Sequence, residues 1–356
     1  MGEDVGPELL LEARKDECTA NLVRWAAWMV LMIGPLACKP AFESPARAAA
    51  SYQKDCDGGV MLGCYNLGVA YEHGIGMMQD AAKAAALYQK ACDGGVMLGC
   101  SNLGLLYEHG TGVNRDNARA VALYQKACDG GELQGCYGLG LAYEYGTGVM
   151  QDAAKAAALY QKVCDRGVML GCNDLGTLHE HGTGVNRDDA RAIALYQKAC
   201  DGGELKGCSN LGIHYEHGTG GIQDAARAAA LYQKACDGGE SIGCYNLGLL
   251  YKHGTGVIQD AAKAAALYQK ACDGGEMHGC VSLGILYVQG TGLDKNAAKA
   301  AALFQRACDG GEMSGCADLG TFYEQGTGGT RDAAKAAAFY RKACDGGLGE
   351  ACAKAR

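Results

Sequence analysis

Eighteen of the 20 cysteines stand in nine pairs of the form C-x7-C, of which CDGGVMLGC at Cys56–Cys64 is the first. The leading cysteine of each pair lies at 56, 92, 128, 164, 200, 236, 272, 308 and 344, a spacing of 36 with no insertion. Paired thiols can bind zinc, exchange disulfides or close a crosslink. Structural zinc takes two cysteine pairs with only two to four residues between partners, and a thioredoxin-type redox centre needs C-x-x-C. No C-x-x-C occurs here, so the spacing favours a crosslink.

Other residues could do different chemistry. Ser51, Tyr52, Gln53 and Lys54 form one S-x-x-K, the nucleophile motif of serine β-lactamases. Such an enzyme also carries S-D-N and K-T-G elements, and neither is present. Ser51 and Lys54 are therefore weak catalytic candidates. His73, His109, His181, His217 and His253 share one repeat position. Adjacent copies would stand roughly 10 Å apart at helix-packing distances, too far to share a metal bonded at about 2 Å. They read as dipole-favourable residues at helix C-termini. Glu72, Glu108, Glu144, Glu180 and Glu216 precede or pair with that ladder and read as a solvated stripe. No metal site and no cofactor motif is expected.

The elements that position these residues follow from periodicity. In residues 61–96, Cys64, Leu67, Gly68 and Tyr71 fall at i, i+3, i+4 and i+7, one face of a first helix, A. Gly74 and Gly76 stop it and form a turn. Asp80 caps a second helix, B, whose stripe is Ala84, Leu87, Tyr88 and Ala91. Lys83 and Lys90 point away from that stripe, and Gly94 and Gly95 end the helix. A strict 36-residue period makes such helix pairs a solenoid in which each unit packs on its neighbours. Glycine recurs at the Gly68 position in all eight units despite a cost of roughly 1 kcal/mol against alanine in a helix, which implies close helix approach. The cysteines then bracket the B-to-A turn, near the disulfide Cα separation of roughly 5.5 Å. The expected bridges are Cys56–Cys64, Cys92–Cys100, Cys128–Cys136, Cys164–Cys172, Cys200–Cys208, Cys236–Cys244, Cys272–Cys280, Cys308–Cys316 and Cys344–Cys352.

Segment 1–43 is of another kind. Its apolar run, Trp25–Ala37, has 13 residues, shorter than the roughly 20 a bilayer span needs but suited to a signal-peptide core. The acidic stretch before it suits a start at Val23, with Arg24 as the basic region. PLAC at Pro35–Cys38 resembles a lipobox, with Cys38 the expected lipidation site; Pro35 departs from the usual leucine. The array begins at 44, with Ser44 as N-cap and Pro45 in the first turn. Ser51 and Asp55 place polar residues on a stripe that is apolar elsewhere, as an end cap requires. The net charge of −8 argues against nucleic-acid binding, which needs a basic stripe.

The string ALYQKACDGG followed by GC, NLG, YE and GTGV resembles the Sel1-like repeat, a relative of the tetratricopeptide repeat. With C-x7-C at every junction it is similar in particular to the Helicobacter cysteine-rich protein family. The resemblance covers about 44–356 and implies an all-α, right-handed α/α superhelical solenoid, disulfide-clamped and secreted. It implies an interaction scaffold, with weak β-lactamase or penicillin-binding activity as the alternative, described for some members. In related solenoids helix A lines the concave surface. The positions that vary between copies there are the candidate binding residues: Tyr65, Asn66, Asn102, Tyr137, Asp174, Asn210, Tyr245, Asn246 and Asp318. Asparagine offers donors and an acceptor to a peptide backbone; the plainer alternative is a hydrogen bond to a neighbouring helix. The expected partner is a protein or peptide, including a cell-wall-derived peptide, held by a monomer that is exported and either lipid-anchored to a membrane through Cys38 or secreted. DAAKAAALYQKACDGG at Asp80–Gly95 recurs unchanged at Asp260–Gly275, which points to a recently expanded array.

Overall fold

The computed structural model describes residues 44–355 apart from 222 and 330. The apolar run Trp25–Ala37 and Cys38 lie outside the described residues. Pro45–Arg356 forms one compact unit. Its helices are α1 (Pro45–Asp57), α2 (Met61–His73), α3 (Ala81–Asp93), α4 (Met97–His109), α5 (Asn117–Asp129), α6 (Leu133–Tyr145), α7 (Ala153–Asp165), α8 (Met169–His181), α9 (Asp189–Asp201), α10 (Leu205–His217), α11 (Ala225–Asp237), α12 (Ser241–His253), α13 (Ala261–Asp273), α14 (Met277–Gln289), α15 (Ala297–Asp309), α16 (Met313–Gln325), α17 (Ala333–Asp345) and the short α18 (Gly349–Cys352). The even helices α2–α16 are helices A of units 1–8, and the odd helices α3–α17 are helices B. The all-α solenoid expected from the period is the fold observed.

Local chemistry sets the ends. In units 1–6 and 8 an aspartate caps helix B, its carboxylate accepting the N–H three residues on, as Asp80 does from Lys83; Asn296 does the same in unit 7. Helix A stops at a glycine with φ near +70°, such as Gly74, whose N–H returns to the Ala70 carbonyl. The turn from B to A needs a second left-handed glycine, with φ from +84° to +97° at its nine positions from Gly59 to Gly347.

Each helix A packs between its own helix B and the helix B before it. Ala84, Ala85, Tyr88 and Ala91 of α3 are buried and Leu87 is half-buried, so the stripe starts where expected but is widened by Ala85, with Leu87 at its edge. Successive A helices also touch, α4 with α6, α10 with α12 and α14 with α16; no successive B helices do so to a comparable degree among the described residues. The A helices therefore lie on the inner side of the array, where the circumference is shorter. Ser51 and Asp55 on α1 are exposed, as an end cap should be.

The nine cysteine pairs are bonded in the structure, with Cα separations of 4.4–4.8 Å. Each ties the last turn of one helix B to the first turn of the next helix A. A further tie was not expected from the sequence. Lys90 was read as pointing away from the packing, but its Nζ donates to the Cys56 carbonyl of the preceding B-type helix at 3.0 Å. Lys162, Lys198, Lys234, Lys270 and Arg306 repeat that bond in units 3–7, while Lys126 and Lys342 pair with Asp93 and Asp309 instead. A cation thus meets the negative end of the neighbouring helix in most units.

Candidate binding face

The inner face is built on the mid-helix glycine. A Cβ at Gly68 would lie 2.7 Å from the Tyr88 ring, and the seven counterparts from Gly104 to Gly320 meet the ring 20 residues ahead at 2.5–2.8 Å. Without a side chain, helix A lets the aromatic ring of helix B lie flat along it. The phenol then reaches the next turn of helix A. Tyr88 donates to Glu72. Tyr124, Tyr160, Tyr196, Tyr232 and Tyr340 donate to Glu108, Glu144, Glu180, Glu216 and Glu324 at 2.5–2.8 Å. The reading of these glutamates as a solvated stripe is corrected: each is half-buried and accepts from a buried tyrosine. Burial first, and the adjacent carboxylate second, hold the phenols of Tyr88, Tyr124, Tyr160 and Tyr232 far above the usual range.

Two units lack the glutamate. In unit 7 both partners change together, to Val288 and Phe304, and no polar atom is stranded. In unit 6 Lys252 replaces the glutamate while Tyr268 stays, and its hydroxyl is buried with no hydrogen-bond partner. Tyr160→Phe should therefore lower stability by about 1.5 kcal/mol, the scale of a bond to a charged group. Tyr268→Phe should instead raise it by about 1 kcal/mol or more, because it removes a buried hydroxyl that has no partner. Equal losses in denaturant unfolding would contradict this pairing.

A second polar row runs between units. The Tyr65 position of one unit meets the Asn66 position of the next, 37 residues on. Tyr137 donates to Asp174 at 2.8 Å, and Asn210 donates to Asn173 at 2.9 Å. Asn102 stands beside Tyr65 and Ser282 beside Tyr245 in the same register. All nine candidate binding residues are half-buried on helices A. Several of them bond a neighbouring helix, the plainer of the two roles weighed for the asparagines. The row explains its exceptions. Ser101 faces Gly138 in that register, and its buried hydroxyl is unpartnered. Asp318 faces Val281, and burial raises its carboxyl pKa to about 6.

The Asp318 shift has a definite sign. An unfolded aspartate ionises near 3.8, so the penalty of charging the folded one is absent below that pH, grows up to about 6 and is complete above. Asp318→Asn should raise the melting temperature at pH 7 and leave it unchanged at pH 3.5. A stabilisation independent of pH would show that ionisation is not the cause.

The remaining candidates separate. Ser51 and Lys54 are exposed on α1. The five-histidine ladder is exposed at helix ends, and no group of three or more metal-binding side chains occurs among the described residues. Two other histidines have buried ring nitrogens. His214 is 3 % exposed at a position that is alanine, leucine or phenylalanine in the other units, with Nε2 3.6 Å from Glu180. His179 replaces the tyrosine of the Tyr71 position and has a buried, unpartnered Nδ1. Their departure from otherwise apolar or aromatic columns was the available signal.

Residues 62–96, 98–132, 133–168, 170–204, 205–240, 241–276, 278–312 and 314–348 each match the family model described as Sel1 repeat. The chain belongs to the Sel1 repeat family. A protective antigen present in uropathogenic Escherichia coli strains, displaying an SLR fold, is 29% identical and aligns over 87% of this chain and 74% of its own, with a TM-score of 0.61. A Sel1 repeat protein from Oxalobacter formigenes is 23% identical over 73% of this chain and 96% of its own, with a TM-score of 0.58. Helicobacter pylori cysteine rich protein B is 31% identical over 36% of this chain and 93% of its own, with a TM-score of 0.31. No curated protein matches. Sel1 repeat proteins are protein-interaction scaffolds, and solenoids of this kind present extended concave surfaces. Nine disulfides belong to an oxidising compartment, extracellular or periplasmic.

Proposed function

We propose that this Sel1 repeat chain is an exported interaction scaffold whose helix-A face docks a protein or peptide partner bearing basic groups. The observation that carries this is charge segregation. Helices A with their N-cap residues hold thirteen acidic and two basic side chains, Lys206 and Lys252; helices B with theirs hold sixteen acidic and seventeen basic. The net negative charge of the array thus stands on its inner side, while the outer side is balanced. A one-signed concave surface raises the local concentration of an oppositely charged partner. Glutamates at the N-caps of α6, α10, α12, α14 and α16 line one edge, and the Tyr-bonded glutamates line the other. The β-lactamase alternative rests only on Ser51 and Lys54, which are exposed on the capping helix.

The test is capture by crosslinking in the native envelope, followed by titration of the captured segment at two salt concentrations. Binding should weaken by an order of magnitude between 50 and 300 mM salt, since exposed charges are screened within about 10 Å. A salt-independent affinity, or capture that survives reversal of the inner-face charges, would sink the reading. Export through segment 1–43 and acylation of Cys38 belong to the same proposal; fatty-acid label that still enters a Cys38→Ser variant would remove the anchor.

A further inference from the structure

Six units satisfy the buried tyrosine of helix B with a carboxylate from helix A, and one unit satisfies it by losing both groups. Unit 6 does neither. Tyr268 is 0% exposed, its hydroxyl has no partner, and the glutamate position holds Lys252. A buried hydroxyl left unpaired is costly, and a lysine ammonium is a donor that has no lone pair to accept from it. The pairing that is complete elsewhere is here short of one acceptor and supplied with one extra positive charge.

The surroundings agree. The ring of Tyr268 lies against Gly248 as its counterparts lie against theirs, so the phenol is aimed at the same turn of helix A. Lys252 is half-buried there, and its long side chain can swing aside. Tyr245 packs on Tyr268 with ring centroids 5.8 Å apart. Along the row of glutamates, Lys252 is followed by Val288, so two consecutive units carry no negative charge at this position. The acidic inner face has a gap here, and only here does the row present a cation.

We propose that Tyr268 and Lys252 form a site for a carboxylate supplied by the partner, which takes the place of the glutamate present in the other tyrosine-bearing units. The carboxylate accepts from Tyr268 Oη and pairs with the Lys252 ammonium, a charge-assisted arrangement stronger than a neutral one. It deepens the docking reading above by fixing one anchor point for a bound chain: a terminal carboxylate or an aspartate or glutamate side chain.

Small probes separate this site from the wider face. N-acetylalanine presents a terminal carboxylate, N-acetylglutamate α-amide presents a side-chain carboxylate, and N-acetylalaninamide presents none. Their binding to the oxidised protein is followed by saturation-transfer NMR on the probe. At least one acid should bind saturably, and the neutral amide should not. Which acid binds identifies the source. Lys252→Glu supplies the carboxylate from within the chain, and Tyr268→Phe removes the donor as Phe304 does naturally. Both should weaken acid binding at least tenfold, and Lys252→Glu should also raise the melting temperature. Amide binding as strong as acid, no binding of either acid, or unchanged affinity in Lys252→Glu would each overturn the proposal. Because the probes need no extended face, such a failure leaves the salt-dependent docking of a basic segment standing or falling on its own test.

Discussion

Reduction of all nine disulfides should leave the array largely unfolded at 37 °C. Each bridge closes a loop of nine residues, and constraining that loop contributes about 2.5 kcal/mol in the chain-entropy model. Nine such terms together exceed the total stability of an ordinary domain, about 5–15 kcal/mol. The rest of the packing does not compensate, because the B-helix stripe is built largely from alanines and each unit touches only its neighbours. The sulfurs of the first eight bridges are buried, at 0–3% exposure, so a reductant added to native protein should act slowly. The informative experiment unfolds the protein in guanidinium with reductant and then removes the denaturant. Circular dichroism should show little recovered cooperative transition, while the oxidised protein should refold. Paired alanine replacements give the graded version: Cys200→Ala with Cys208→Ala should lower stability by about 2.5 kcal/mol or more. A reduced protein that melts within a few degrees of the oxidised one would show that the bridges ornament a fold stable without them.

The period, the helix pair, both caps and the turn glycines were legible in the sequence because each is set within one 36-residue unit. The cysteine pairing was legible for the same reason: only seven residues and one turn lie between the partners. What stayed hidden lies between elements. Glu72 looks like a solvent residue from its own helix, and only the approach of Tyr88 across Gly68 makes it an acceptor. A signal was nonetheless present, since the unit that loses the glutamate at Val288 also loses the phenol at Phe304. Lys90 likewise looks exposed until the preceding helix end is placed beside it. The row joining Tyr137 to Asp174 needs the offset of one residue beyond the period, which no single unit reveals. The candidate binding residues were found by their variability. That property marks freedom from packing, and several of them turn out to use the freedom to bond one another.

Gly112→Ala should be among the most damaging single exchanges in a turn, although the sequence gives it no more than a loop role. Gly112 has φ of +70°, where an L-residue is strained by roughly 1–2 kcal/mol. A Cβ there would also press into the backbone of Ala81 and Ala82, the first turn of α3 in the unit before. Backbone in a capped helix start cannot turn aside as a side-chain tip can, so overpacking adds roughly 1–3 kcal/mol. Gly76, Gly148, Gly184, Gly256 and Gly292 meet the preceding B-type helix in the same way. The A-to-B turn is thus a contact between units, and its second glycine sets how closely they stack. Gly131→Ala is the control. Its φ is +89°, but a Cβ there meets nothing within 4 Å, so only the backbone strain of roughly 1–2 kcal/mol remains. Chemical unfolding should show Gly112→Ala losing about 3 kcal/mol, with a lower slope if the array splits at that joint. The loss should be well above that of Gly131→Ala. Equal losses would mean that both glycines serve only the turn and that unit spacing is set by the helices alone.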